Sequence, residues 1–121
     1  MITDFLDAQD YLYATAIDEL TIGKKESHWI WFIFPQMYHY KMSSISSKFA
    51  FKNESDVVDY IDNDILYNRL IECVKLVLSH DDKLLIDILV SELDVLKFKS
   101  SMSLFYNITK KEIFLKAISK N

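Results

Sequence analysis

Residues 28–36 read His-Trp-Ile-Trp-Phe-Ile-Phe-Pro-Gln, and the way this stretch folds decides the class of the whole protein. Its alternating, aromatic-rich pattern is typical of a buried strand. One strand cannot form a sheet, however, and no second convincing strand lies nearby. We therefore expect a short helical or extended segment that packs inside the protein and ends at Pro35.

The composition of the chain supports this choice. The 121 residues include one glycine and one proline, whereas a sandwich or barrel usually needs several of both for its tight turns. Half of the residues are hydrophobic, which excludes a mainly disordered chain. A chain of this length forms one domain, so we expect a few long elements around one core. The single glycine also excludes a glycine-rich phosphate loop and a dinucleotide-binding fingerprint.

Apolar residues recur at helical spacing along most of the chain. Residues 4–22 form the first predicted helix, with Thr3 or Asp4 as its N-terminal cap. Gly23 follows directly, at the place where a left-handed residue often ends a helix. Residues 64–78 form a second long predicted helix, with Asn63 as its N-terminal cap.

The last predicted helix begins at a capping box, in which Thr109 and Glu112 satisfy each other's exposed N–H groups. Together these patterns predict an all-α fold, a single compact domain over residues 1–121 with about six or seven helices.

The charge of the chain is unevenly distributed. The net charge is −4, from 14 basic and 18 acidic residues. Residues 97–121 contain six lysines and one acid, whereas residues 54–64 contain five acids and no base. The acidic balance argues against a duplex nucleic-acid partner, while the basic segment suits an anionic small molecule. The simpler interpretation is a pair of solvated helix faces.

The few cysteines and histidines limit which disulfides and metal sites the chain can form. Cys73 is the only cysteine, which excludes an intrachain disulfide, and its apolar helix face predicts a core residue. His28, His39 and His80 lack the spacing of metal ligands, so we expect no metal site and no cofactor. We expect His39 and His80 to lie in exposed loops. No secretory leader or membrane-spanning run is evident, which predicts a cytoplasmic protein without membrane contact.

Two clusters have residue types suited to binding. His28 follows a basic turn, where an imidazole can contact a phosphate, act as an acid or base, or tie a loop to a carbonyl. In the aromatic block after it, most rings are expected in the core, but Trp31 can stack on a planar base whose edge Gln36 can read. Ser100 and Ser101 lie side by side in a predicted helix, either for binding or for close helix packing.

Two stretches are more distinctive than these patterns. They read Gly23-x-Lys25-x-Ser27-His28-Trp29-x-Trp31-Phe32-x-Phe34-Pro35-Gln36 and Leu96-Lys97-x-x-Ser100-Ser101-Met102-x-Leu104-Phe105. Both resemble the hallmark motifs of the DUF1810 family, and the resemblance covers nearly the whole chain. It implies a small, single-domain, all-helical fold and leaves the biochemical role open.

The resemblance marks the polar residues of these motifs as candidate ligand-binding positions. With Trp31 added for stacking, the candidates are Asp7, Gln9, Tyr13, Lys25, His28, Trp31, Gln36, Lys97, Lys99, Ser100 and Ser101. The chain departs from the family pattern at His39 and Lys41, where members usually have glycines, and in its short C-terminal tail. These departures predict a divergent member with an altered ligand or a stiffer pocket rim.

The function that we expect is binding of a phosphorylated small molecule of nucleotide or ADP-ribose type, which sequesters or senses a nucleotide signal. Lys25, Lys97 and Lys99 would meet the phosphate charge, and a homo-oligomer is one way to complete the pocket. No nucleophile, metal site or paired acid and base is evident, which favours binding without turnover.

Two alternatives belong to other functional classes. The first is a hydrolase of a nucleotide or ADP-ribose derivative, with His28 as the acid or base and Glu19 or Asp7 orienting it. The second is a protein-interaction module that uses the acidic and basic faces.

Overall fold

The regular structure of the protein is helical throughout. The computed structural model describes residues 1–121 and contains eight helices. Their bounds are α1 Ile2–Ile22, α2 Ile30–Ile33, α3 Ser44–Lys48, α4 Glu54–Asp62, α5 Asp64–Leu78, α6 Leu85–Leu89, α7 Glu92–Thr109 and α8 Glu112–Ser119. The predicted all-α class is confirmed, and α2, α3 and α6 have only four or five residues each.

The first helix begins earlier than the sequence predicts. Met1 is its N-cap, without a side-chain hydrogen bond, so the predicted Thr3 or Asp4 cap is wrong. Asp4 lies in the first turn instead, where its negative charge interacts favourably with the positive end of the helix dipole. The predicted end is confirmed, because Gly23 has φ 91° and ends α1 in the left-handed region.

The turn after α5 packs against this end of α1. His80 Nε2 lies 2.6 Å from the carbonyl oxygen of Leu20, and Lys83 Nζ donates to the carbonyl of Gly23 at 3.2 Å. These contacts satisfy carbonyl groups that the helix leaves unpaired. His80 is therefore half-buried, and the prediction that it lies exposed is wrong.

The last helix begins without the predicted capping box. Thr109 is the final residue of α7, and its hydroxyl donates to the carbonyl of Phe105 at 2.8 Å. Lys110, at φ 59°, then ends α7 in the left-handed region, and α8 starts at Glu112. Thr109 therefore belongs to α7 and Lys111 is the N-cap of α8, although the Thr109 hydroxyl also accepts from the backbone N–H of Lys111 at 3.2 Å.

Aromatic rings form the centre of the core. The Phe5 ring centroid lies 5.0 Å from that of Tyr60, 5.6 Å from Phe49 and 5.8 Å from Phe51. These edge-on and tilted contacts suit the quadrupoles of the rings. Every helix except α3 contributes a buried residue to the core. Helix α7 packs against α2, α6 and α8, while α1 packs against α2 and α5.

Residues 36–51, named the 36–51 loop, lie beside α7 and contain α3. The backbone N–H of Phe51 donates to the carbonyl of Gln36 at 2.9 Å, and that of Tyr38 donates to the carbonyl of Phe51 at 2.8 Å. The two ends of the loop are thereby held together, as in compact surface loops that often carry function.

None of the eight helices combines the length and the apolar character needed to cross a bilayer.

Candidate functional site

Two neighbouring cavities lie between the 36–51 loop and α7. The first has a volume of about 360 Å³, within the usual range for small-molecule sites, and the second, of about 620 Å³, is an open depression whose lining residues, such as Tyr38 and Asn107, are largely exposed. Gln36 and His39 line both cavities, so the two cavities adjoin at these residues. The two spaces are therefore parts of one continuous surface.

The first cavity combines aromatic walls with cationic side chains. Trp31 and Phe49 provide ring surfaces, and Lys41 and Lys97 provide the charges. Neither lysine forms an ion pair with a carboxylate. The hydroxyl groups of Ser43 and Ser46 complete its polar lining.

The second cavity is richer in neutral polar groups. It is lined by Ser100, Ser103 and Asn107 of α7, with Tyr38 on the loop side. Lys99 also lines it, but its ammonium donates to the carbonyl of Ile118 at 2.8 Å. The Lys99 charge is thus held at the C-terminal end of α8, where the helix dipole favours a cation.

No aspartate or glutamate lines either cavity, although the chain has 18 acidic residues and a net charge of −4.

The spacing of the lining residues along α7 explains how this helix contributes to both cavities. Leu93, Lys97, Ser100, Leu104 and Asn107 are three or four residues apart, so they share one face of the helix. The other face, which includes Phe98, Met102 and Phe105, lies in the core.

The structure brings together about half of the residues that the sequence identifies as candidates. Trp31, Gln36, Lys97, Lys99 and Ser100 line the cavities. Ser101 follows directly in the chain but lines neither cavity. It is fully buried, and its hydroxyl has no hydrogen-bond partner.

Lys25 lies away from the cavities, in a buried ion pair. Its Nζ is 3.0 Å from the carboxylate of Asp94 and 5.2 Å from the ring centroid of Trp29. Its backbone N–H donates to the carbonyl of Ile88 at 2.7 Å. These contacts fasten the loop after α1 to α6 and α7, so the Lys25 charge is already matched within the protein.

Gln9 and Tyr13 belong to a polar network between α1 and the neighbouring helices. The Gln9 amide donates to the carbonyl of Phe32 at 2.8 Å and to the Tyr60 hydroxyl at 3.3 Å. Tyr13 donates to Glu72 at 2.8 Å. Burial, with the hydrogen bond to Glu72, raises the pKa of Tyr13 well above its usual range. Gln9 and Tyr13 therefore contribute contacts between helices.

His28 forms no ion pair with Asp7 or Glu19, the two carboxylates that the hydrolase alternative assigns to it. His28 and Asp7 are exposed, neither lines a cavity, and no hydrogen bond joins either of them to Glu19. Burial raises the pKa of the Glu19 carboxyl, but hydrogen bonds from Ser27, Glu26 and Trp29 together outweigh it and lower the pKa to about 2. Glu19 is thus an ionised anchor for the loop that follows α1.

Cys73 occupies the core, as the sequence predicts. Burial, aided by the nearby negative charge of Glu72, raises the pKa of its thiol to about 12. The thiolate that a nucleophile needs is therefore scarce at neutral pH. No group of three or more His, Cys, Asp or Glu side chains is arranged to hold a metal ion.

Sequence reasoning missed several lining residues, above all His39 and Lys41. Both lie on the 36–51 loop, just after the first motif ends at Gln36, and neither is a polar motif residue. They stand where the family resemblance leads one to expect glycine, and this departure is the clue that the sequence offered. Ser43, Ser46, Ser103 and Asn107 gave no comparable signal.

Comparisons with known proteins establish the family. The model of DUF1810, described as a protein of unknown function, matches residues 1–121, and this chain belongs to that family. The chain is also similar to the solved structure of the conserved hypothetical protein Rv1873 from Mycobacterium tuberculosis. The two share 30% sequence identity and a TM-score of 0.91, over 97% of this chain and 84% of that one. A comparison with curated proteins found no match.

Proposed function

We propose that this protein binds a phosphorylated small molecule of nucleotide or ADP-ribose type in the two cavities and sequesters it without turnover. The observation that carries the proposal is the lining of the cavities. Lys41, Lys97 and His39 face this space, and no carboxylate does. In a chain with an excess of acids, such a surface attracts anions more strongly than the rest of the molecule does.

The ring surfaces of the first cavity favour a nucleotide over a simple anion. Trp31 is half-buried and offers a ring on which a base can stack, a contact that contributes about 1–3 kcal/mol per base, while the buried Phe49 adds an apolar wall. Gln36 has both a donor and an acceptor for the edge of that base. Inorganic phosphate uses none of these groups and is therefore expected to bind more weakly.

Binding without turnover is favoured because His39, the imidazole that lines the cavities, has no carboxylate beside it, and the reactive groups singled out in the sequence lie elsewhere. Cys73 is buried with a raised pKa, and His28 lies outside both cavities. A cytoplasmic location also fits a protein whose single cysteine is free.

The proposal is tested by a thermal-shift screen with ADP, ATP, ADP-ribose and inorganic phosphate, followed by chromatography of each bound compound. A ligand present at 100 times its dissociation constant adds about 2.7 kcal/mol to the free energy of unfolding. We expect a rise in Tm with a nucleotide that is recovered intact. A rise with the compound consumed would instead support the hydrolase, and no rise with any nucleotide contradicts the proposal. Size-exclusion chromatography of the same samples tests the predicted homo-oligomer.

A further inference from the structure

The two cavities differ in chemistry, and the difference follows the length of α7. Near its N-terminal end, Lys97 lies in a space with aromatic walls and a second lysine, Lys41. Farther along, Ser100, Ser103 and Asn107 line a space whose one lysine has its ammonium bound to the carbonyl of Ile118. Free positive charge is therefore concentrated in the first cavity, and neutral hydrogen-bonding groups in the second.

The boundary between the cavities is polar and continuous. Gln36 and His39 line both spaces, so a ligand that fills one is in contact with residues of the other. The rise of an α-helix places Asn107 roughly 15 Å from Lys97 along the axis of α7. A ligand whose base and phosphates occupy the first cavity needs an additional group to reach Asn107.

We infer that the site takes a two-part ligand, a nucleoside diphosphate esterified to a sugar or similar polyhydroxylated group. The base lies against Trp31 and Phe49 in the first cavity, and the diphosphate lies beside Lys41, Lys97 and His39. The sugar extends into the second cavity, where hydroxyl and amide side chains of α7 bond to its hydroxyl groups. This inference rests on the proposed function, since it specifies the ligand class of the same site.

ADP and ADP-ribose are the probes that distinguish simple anion binding from binding of the two-part ligand. ADP carries the greater negative charge, so electrostatic attraction alone favours ADP. ADP-ribose carries the additional sugar that the second cavity is inferred to bind. Calorimetric titrations at one fixed ionic strength compare the two compounds on the wild-type protein and on two variants, Asn107→Ala and Asn68→Ala. Asn68 is an exposed asparagine of α5 that lines neither cavity, so its replacement is a matched control.

The wild-type protein is expected to bind ADP-ribose more tightly than ADP. Asn107→Ala should reduce the ratio of the two affinities by about three- to tenfold, the usual effect of losing one neutral hydrogen bond. Asn68→Ala should leave the ratio unchanged. If ADP binds as tightly as ADP-ribose, or if Asn107→Ala leaves the ratio unchanged, the two-part ligand is wrong while anion binding stands. If neither compound binds, the proposed function is overturned, and the inference with it.

Discussion

The ammonium of Lys25 lies 3.0 Å from the carboxylate of Asp94, and both side chains are largely buried where the loop after α1 meets α7. Removing one member of such a pair leaves the other charge buried and unmatched, which costs about 3 kcal/mol. We therefore expect Lys25→Gln to lower the free energy of unfolding by about this amount, as measured by urea titration.

The neighbouring exposed residue provides the control for this prediction. Lys24→Gln should leave the stability unchanged, because Lys24 is exposed and forms no ion pair. Lys25→Gln should retain its affinity for ADP-ribose at temperatures where it is folded. A variant with normal stability and lost binding would show that Lys25 contacts the ligand.

Glu19 should make the stability of the protein sensitive to acid. Its carboxyl pKa is about 2 in the folded protein and 4.5 ordinarily, so the folded state favours the ionised form. The resulting stabilisation is complete above the ordinary pKa and is lost as the pH falls from about 5 toward 2. With about 1.4 kcal/mol for each pKa unit, the total is on the order of 3 kcal/mol.

A pH series of urea titrations measures this contribution. Glu19→Gln should be less stable than wild type at pH 7, and the difference should shrink steadily as the pH falls toward 2. Glu26→Gln is the matched control, because the Glu26 side chain is exposed and only its backbone N–H contacts Glu19. A loss of stability in Glu19→Gln that does not change with pH would show that ionisation of Glu19 does not stabilise the folded state.

Val90 is expected to be a site where glycine stabilises the protein. Its φ of 73° is a conformation that a β-branched residue adopts only under strain, and the side chain is half exposed. Such strain costs about 1–3 kcal/mol, whereas the entropy that glycine loses on folding costs about 0.5–1 kcal/mol. Val90→Gly should therefore raise Tm. Val58→Gly, at an exposed valine within α4, should lower the Tm. A lower Tm in both variants would show that Val90 is unstrained.

The fluorescence of Trp31 should report ligand binding. Trp31 lines the first cavity, whereas Trp29 is fully buried and donates its indole N–H to Glu19 at 2.9 Å. Addition of ADP-ribose is expected to change the emission of the wild-type protein but not that of Trp31→Phe, which retains Trp29. An equal change in both proteins would place the ligand away from the first cavity.

Features set by neighbouring residues could be predicted from the sequence. The glycine that ends α1 and the Asn63 cap of α5 are examples, since the Asn63 side chain accepts from the N–H of Leu66 at 3.0 Å. The predicted capping box at Thr109 is wrong because local sequence allows more than one hydrogen-bonding pattern there. The same local pattern fits a threonine that bonds back into the preceding helix, and packing of α7 against α8 decides between them.

The candidate site depends on contacts that are distant in sequence, so less of it could be predicted. His39 and Lys41 reach the first cavity because the pairing of Gln36 and Tyr38 with Phe51 folds the 36–51 loop over α7. Lys25 and Lys97 both occupy motif positions that suggest ligand binding, but Lys25 forms an ion pair with Asp94. Sequence patterns identified the residue types, and tertiary contacts determine which of them remain available to a ligand.

The unpaired charge of Lys97 is proposed to attract the anionic ligand. The most direct measurement is calorimetric titration of ADP-ribose into wild type, Lys97→Gln and Lys75→Gln at low and high salt. Lys75 is an exposed lysine of α5 that lines neither cavity. Lys97→Gln should weaken binding by about tenfold or more and reduce its dependence on salt, because one charged contact is lost. Lys75→Gln should behave as wild type. Equal affinities for all three proteins, or a wild-type affinity that salt does not alter, would show that the Lys97 charge does not attract the ligand.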